Sequence, residues 1–207
     1  MRPEAIVFGS PLAGAGGWRA VPKRGVPLRL WDAPFDGGDV VEQATEAALL
    51  STDLRLERLH RRLAALCDPW RPATRLFLDG YFALIARLIA DAAPALMADL
   101  GARAALYQPG DWRFAAWLPL PRAAWRGLAR PLPFVFWGGE APLAVVLAAA
   151  PPQGLPLPAV AVPPTALRAD APAAVAAALP ETALAFRRGV AQPRAVAGYR
   201  STSISSA

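Results

Sequence analysis

The 207-residue chain holds one cysteine, Cys67, one histidine, His60, and one lysine, Lys23. A lone cysteine excludes an intramolecular disulfide and suits a reducing compartment. A lone histidine excludes histidine-rich zinc sites and two-histidine mechanisms. His60 and Cys67 fall on one predicted helix about 10 Å apart along its axis, too far for a catalytic dyad. No Gly-x-Ser-x-Gly elbow is present, so serine-triad chemistry has no scaffold. Gly14-Ala15-Gly16-Gly17 is followed by no Lys-Ser or Lys-Thr pair and opens no helix, which argues against a phosphate-cradling loop.

The longest uncharged run is long enough to cross a bilayer but is unsuited to it. This run, Ala141 to Leu167, carries prolines at 142, 151, 152, 156, 158, 163 and 164. Each interior proline costs a helix about 3 kcal/mol, so this run spans nothing. Glu4 interrupts the first residues, and Ala5-Ile6-Val7-Phe8 is too short for the apolar region of a signal peptide. The expected setting is the cytoplasm, with no membrane partner.

What the chain does have is apolar residues, 55% of the total, enough for one good core. Its net charge is +6, but 21 of the 22 basic residues are arginine, a bias that GC-rich coding of an alanine-rich chain produces without selection for binding. The excess sits late: residues 1–110 hold 13 basic and 12 acidic groups, residues 111–207 hold 9 and 4. That distribution keeps a nucleic-acid partner in view.

The pattern predicts an α+β protein, helices first and a small mixed sheet with a C-terminal helix second. Residues 1–30 read as an irregular arm with a short strand near Val26 to Leu30. A globular domain follows over 31–189, and 190–207 is too polar to pack and reads as a mobile tail. Asp39 and Glu42 start a helix to about Leu50. Ser51, Thr52 and Asp53 start a second, with Leu56, Leu59, Leu63 and Leu66 on one stripe, ending near Cys67. A third, from about Ala73 to Ala92, carries Leu76, Phe77, Tyr81, Leu84, Ile85, Leu88 and Ile89 at helical spacing. Pro94 resets the chain for a fourth over about 95–106. Trp112 to Leu118 reads as a strand, and Pro133 to Ala148 as an apolar hairpin turned by the positive φ angles of Gly138-Gly139. Ala159 to Val162 is a further strand. A helix follows from about Thr165 to Leu179, broken at Pro180 and resumed to about Arg188.

The order of strand, hairpin, short strand and helix over about Asp111 to Leu184 resembles the core of the PD-(D/E)XK nuclease superfamily, the restriction-endonuclease-like fold. The resemblance implies an aspartate on one strand and an acid-any-lysine triplet on the next, the carboxylates holding Mg²⁺ against a phosphate. Pro133, Val146 and Ala148 stand at those three positions here. A degenerate, non-catalytic relative is the expectation, with no cofactor. Asp111 and Glu140 are the only nearby carboxylates that could have migrated into a metal site, with Glu42 or Glu46 from an early helix. Mg²⁺ is required only if they have; a turn residue and a solvated loop charge are the plainer assignment.

Two basic groups remain. Arg55, Arg58 and Arg62 share a helix face opposite the leucines, the usual position of solvated charge. Arg113, Arg122, Arg126 and Arg130 interleave with Trp112, Trp117 and Trp125, the composition that stacks bases and contacts phosphates. Tryptophan more often packs in a core. Two rings exposed beside arginine would favour a binding surface. The expected function is therefore recognition of nucleic acid or of a partner protein, the alternatives being a metal-dependent nuclease using Asp111 and Glu140 or an adaptor with no nucleic-acid role.

Overall fold

The computed structural model describes residues 4–9, 17–33, 52–101 and 115–184. It is an α+β fold, with helical elements preceding a mixed sheet and a C-terminal helix after it. The helix expected over 39–50, the tail, and residues 112–114 of the expected first strand lie outside the described residues.

The sheet is built around β4 (Leu132–Trp137), flanked by β3 (Leu120–Ala123) and β5 (Pro142–Val146) in antiparallel pairing, with β6 (Ala159–Ala161) parallel to β5. As the inner strand, β4 is apolar on both faces, and Phe134, Val135, Phe136 and Trp137 are all buried. Side chains alternate along a strand. Phe134 and Phe136 meet the ring of Phe77 at centroid distances of 4.8 and 6.5 Å. One residue on, the Trp137 indole donates instead to the carbonyls of Lys23 and Val26, both at 3.0 Å. One face of β4 thus receives a helix and the other the N-terminal segment.

That segment differs from the irregular arm expected. β1 (Ile6–Phe8) and β2 (Trp18–Ala20) form a two-stranded antiparallel sheet. β1 is tied to β3 by the Gly9 N–H donating to the Pro121 carbonyl and the Ala124 N–H to that of Val7, both at 2.8 Å. Residues 26–30 are not a strand of the main sheet, although Leu28 and Leu30 are buried. Pro27 has no N–H to give, and the stretch makes only single contacts: Leu28 N–H to Trp137 O, Leu30 N–H to Ala116 O, Leu118 N–H to Leu28 O. Leu30–Asp32 closes as one 3-10 turn.

The helices are α1 (Thr52–Ala65), α2 (Pro72–Leu100), α3 (Pro164–Ala178) and the single turn α4 (Glu181–Leu184). In α1, Leu56, Leu59 and Leu63 form the buried stripe. In α2, Phe77, Leu78, Tyr81, Leu84, Ile85 and Ile89 are buried. Two helices were expected where α2 is one, because Pro94 lies inside it. The proline removes one donor to the carbonyl four residues back. Both Pro94 and Ala90 are exposed, so water can satisfy the freed carbonyl. By length and composition α2 is the one described helix able to cross a membrane, yet its first half is the core helix of this fold.

Two further expectations are corrected. Residues 115–118 are a turn and an isolated bridge, Arg29 with Trp117, and the first strand of the sheet starts at Leu120; Pro119 and Pro121 deny it a continuous ladder. In the β4–β5 turn only Gly139 has positive φ, 105°. Gly138 is needed for space: a Cβ there would stand 2.5 Å from the Trp117 ring. The helix α3 is also two pieces joined at Asp170, whose φ of −155° is extended and whose carboxylate accepts the Ala173 N–H at 3.0 Å. Asp170 is the N-cap of the second piece, with Pro172 in its first turn.

The kink lets α3 pass close over α2. A Cβ on Gly80 would lie 2.7 Å from the Ala171 Cβ and 2.8 Å from its backbone carbon. Gly80→Ala is expected to lower unfolding free energy by about 1–3 kcal/mol through overpacking despite its gain in helix propensity. Urea denaturation measures it, with Ala83→Gly, at an exposed site on the same helix, as the propensity control, expected to cost about 1 kcal/mol.

Candidate nucleic-acid interface

Pairing of β4 with β5 runs Phe134↔Val145 to Trp137↔Pro142; Pro133 and Val146, two of the positions matched to the nuclease pattern, are the next residue of each strand. Ala148 follows two residues on, beyond the end of β5. None of the three carries a ligating or basic group. Of the migrated candidates, Asp111 lies outside the described residues. Glu140 is on the exposed β4–β5 turn, 3.9 Å from the Arg24 guanidinium. Among the described residues no three His, Cys, Asp or Glu side chains cluster as metal ligands would.

The arginine–tryptophan series is not one surface. Arg113 and Trp112 lie outside the described residues. Trp117 is buried, and Trp125 is half-buried against the core. Arg126 is paired with Glu4 at 2.5 Å. Arg130 is exposed, with no ion pair among the described residues. Arg122 is the unusual member. It is half-buried and its φ is +49°, a left-handed conformation rare outside glycine. The two backbone bonds joining β1 to β3 are made by its neighbours Pro121 and Ala124, so the bend at Arg122 sits where the two sheets meet.

Burial pushes the Cys67 thiol, just beyond the end of α1, up to about 12, against the smaller lowering effects of the Arg75 and Arg122 charges. Thr74, a buried polar side chain, places its hydroxyl 2.6 Å from the Arg71 carbonyl and 3.3 Å from that of Asp68. The Asp68 carboxylate accepts the Trp70 N–H at 3.0 Å. This turn, Asp68-Pro69-Trp70-Arg71-Pro72, is therefore closed by an Asx bond, two proline rings and a buried threonine. At its tip Trp70 is 89% exposed.

An indole standing in water on an ordered turn is the feature that sequence reasoning missed. The available signal was position: Trp70 lies off both leucine stripes, between two prolines. Arg71 is 3.6 Å from Asp68. Arg75 donates to Asp79 at 2.8 Å, and the same carboxylate oxygen takes His60 at 2.8 Å. These aspartates hold the arginines in place while leaving both half exposed. The Arg55–Arg58–Arg62 face needs no ligand: Arg55 and Arg58 are solvated, and the neighbouring Arg61 pairs with Glu57 at 2.7 Å.

Comparison with known proteins finds no match: no family model, no curated protein and no solved structure aligns significantly with the chain.

The protonated, buried state of Cys67 has a direct consequence. Alkylation by iodoacetamide at pH 8 is expected to be slowed at least tenfold in the folded protein relative to the protein in urea, because the thiolate is the reacting form. Mass spectrometry of the single thiol reads the rate.

Proposed function

We propose that this protein is a non-catalytic recognition module whose partner is single-stranded nucleic acid. The observation that carries the proposal is Trp70, exposed at the tip of a pre-ordered turn with Arg71 beside it and with Arg75, half exposed, one helical turn further on. A flat ring beside guanidinium groups provides a stacking surface for a base and charge for the phosphates on either side. Ordering the turn before binding removes part of the entropy cost of association. The net charge of +6 supports the same partner.

A degenerate nuclease-like core is part of this proposal. The β3–β4–β5 meander with β6 parallel to β5 supports it. Pro133, Val146 and Ala148 support a role without metal-assisted hydrolysis, since none can hold Mg²⁺ or donate a proton. The single cysteine, kept as a thiol, supports a cytoplasmic location.

Fluorescence anisotropy of labelled single- and double-stranded DNA tests the proposal. The expected result is tighter binding to the single strand, weakening as salt rises. Trp70→Ala is expected to raise Kd by about 5- to 150-fold, the cost of losing one stacked base. Arg71→Gln is expected to lower the salt slope by roughly one phosphate contact. Absence of binding at low salt, or binding that neither substitution alters, overturns it and turns the search to protein partners.

A further inference from the structure

Asp79, on α2, holds two side chains on a single oxygen. Its Oδ1 accepts the Arg75 Nε–H at 2.8 Å and lies 2.8 Å from His60 Nε2, which reaches it from α1. A carboxylate accepts and does not donate, so Nε2 carries the ring proton and the neutral imidazole keeps its lone pair on Nδ1. The ring lies against Phe82 with centroids 4.6 Å apart, and 24% of the side chain is exposed. It is therefore held in place and still able to exchange a proton with water.

Few charges surround the ring. From α2 come Asp79 and Arg75. From α1 come Asp53 and Glu57, which line the same cleft as the ring; Glu57 is paired with Arg61, and Asp53 is engaged as well. The 30–32 turn reaches that cleft with Leu30 alone. While the ring is neutral, the Arg75 charge is matched by that of Asp79. A proton on Nδ1 leaves one carboxylate between two cations, and the trio gains a net positive charge. Histidine is the side chain whose ordinary titration falls between pH 5 and 8, and His60 is the only one in the chain. The Cys67 thiol, pushed up to about 12, stays silent in that range.

We infer that His60 is the pH sensor of the Trp70 turn: its protonation adds a positive charge beside Arg75 and tightens the hold on nucleic-acid phosphate in weakly acidic solution. This rests on the Trp70 turn being a nucleic-acid site. One more phosphate contact to a single strand at 0.1 M salt is worth roughly fivefold in affinity.

Fluorescence anisotropy of a labelled oligothymidylate with the full chain, at pH 5.5 and 7.5 over a series of salt concentrations, tests the inference; thymine and the phosphodiester keep one charge state across that range. The expected result is a Kd about fivefold lower at pH 5.5, with a salt slope steeper by roughly one phosphate contact. His60→Gln, which keeps a donor for Asp79 but takes up no proton, is expected to lose both differences, with circular dichroism confirming its fold. On the unaltered protein, the ring-proton NMR signals of the single histidine report the other side of the linkage. Binding is expected to raise their titration midpoint by roughly 0.7 pH unit, the same fivefold seen from the proton. Salt-dependent binding that is equal at the two pH values, a pH effect retained by His60→Gln, or an unmoved midpoint overturns the inference and leaves the nucleic-acid proposal standing. Absence of binding at both pH values overturns that proposal and the inference with it.

Discussion

A tyrosine hydroxyl sealed from water must find an acceptor, and the Tyr81 hydroxyl finds the main-chain carbonyl of Trp117 at 2.6 Å. Much of the molecule is arranged around that contact. Burial holds the phenol far above its ordinary range, with only the Arg29 charge opposing, so it remains a donor at any physiological pH. It fixes residues 115–118 against α2. Those residues then serve as a rail: Leu28 and Leu30 attach on one side and the Trp117 N–H reaches Ala183. The Arg29 guanidinium adds a bond to the Ala115 carbonyl and lies over the Trp31 ring. A segment with almost no strand pairing of its own is held because a helix, the N-terminal chain and the C-terminal turn all bond to it.

This explains which parts of the structure were legible in the sequence. The leucine stripe of α1, the apolar face of α2, the β4–β5 hairpin and the short β6 follow from local periodicity, and local periodicity is what packing uses. The docking of residues 23–30 was not legible, because its partners lie more than eighty positions away and Pro27 hides the alternation. Pro94 misled for the opposite reason: its local rule is sound, but an exposed helix face supplies water to the carbonyl it frees. Gly138 was noticed as a turn residue when its role is to make room for an indole ring.

The candidate site was legible only in outline. Arginine beside tryptophan was visible as a composition, but composition does not say which rings face water. Trp117 and Trp125 went to the core, while Trp70, with no arginine periodicity to advertise it, stands in solvent. The absence of acids at Pro133, Val146 and Ala148 was plain from sequence.

The bonds from the Trp137 indole back to Lys23 and Val26 span 114 and 111 residues. On a ribosome adding 5–20 residues each second, the N-terminal chain emerges roughly 6 to 20 s before the strand it docks on. During that interval Leu28, buried in the finished fold, lacks the Trp137 carbonyl that its N–H meets there. Synthesis therefore exposes an apolar segment early and completes its cover late.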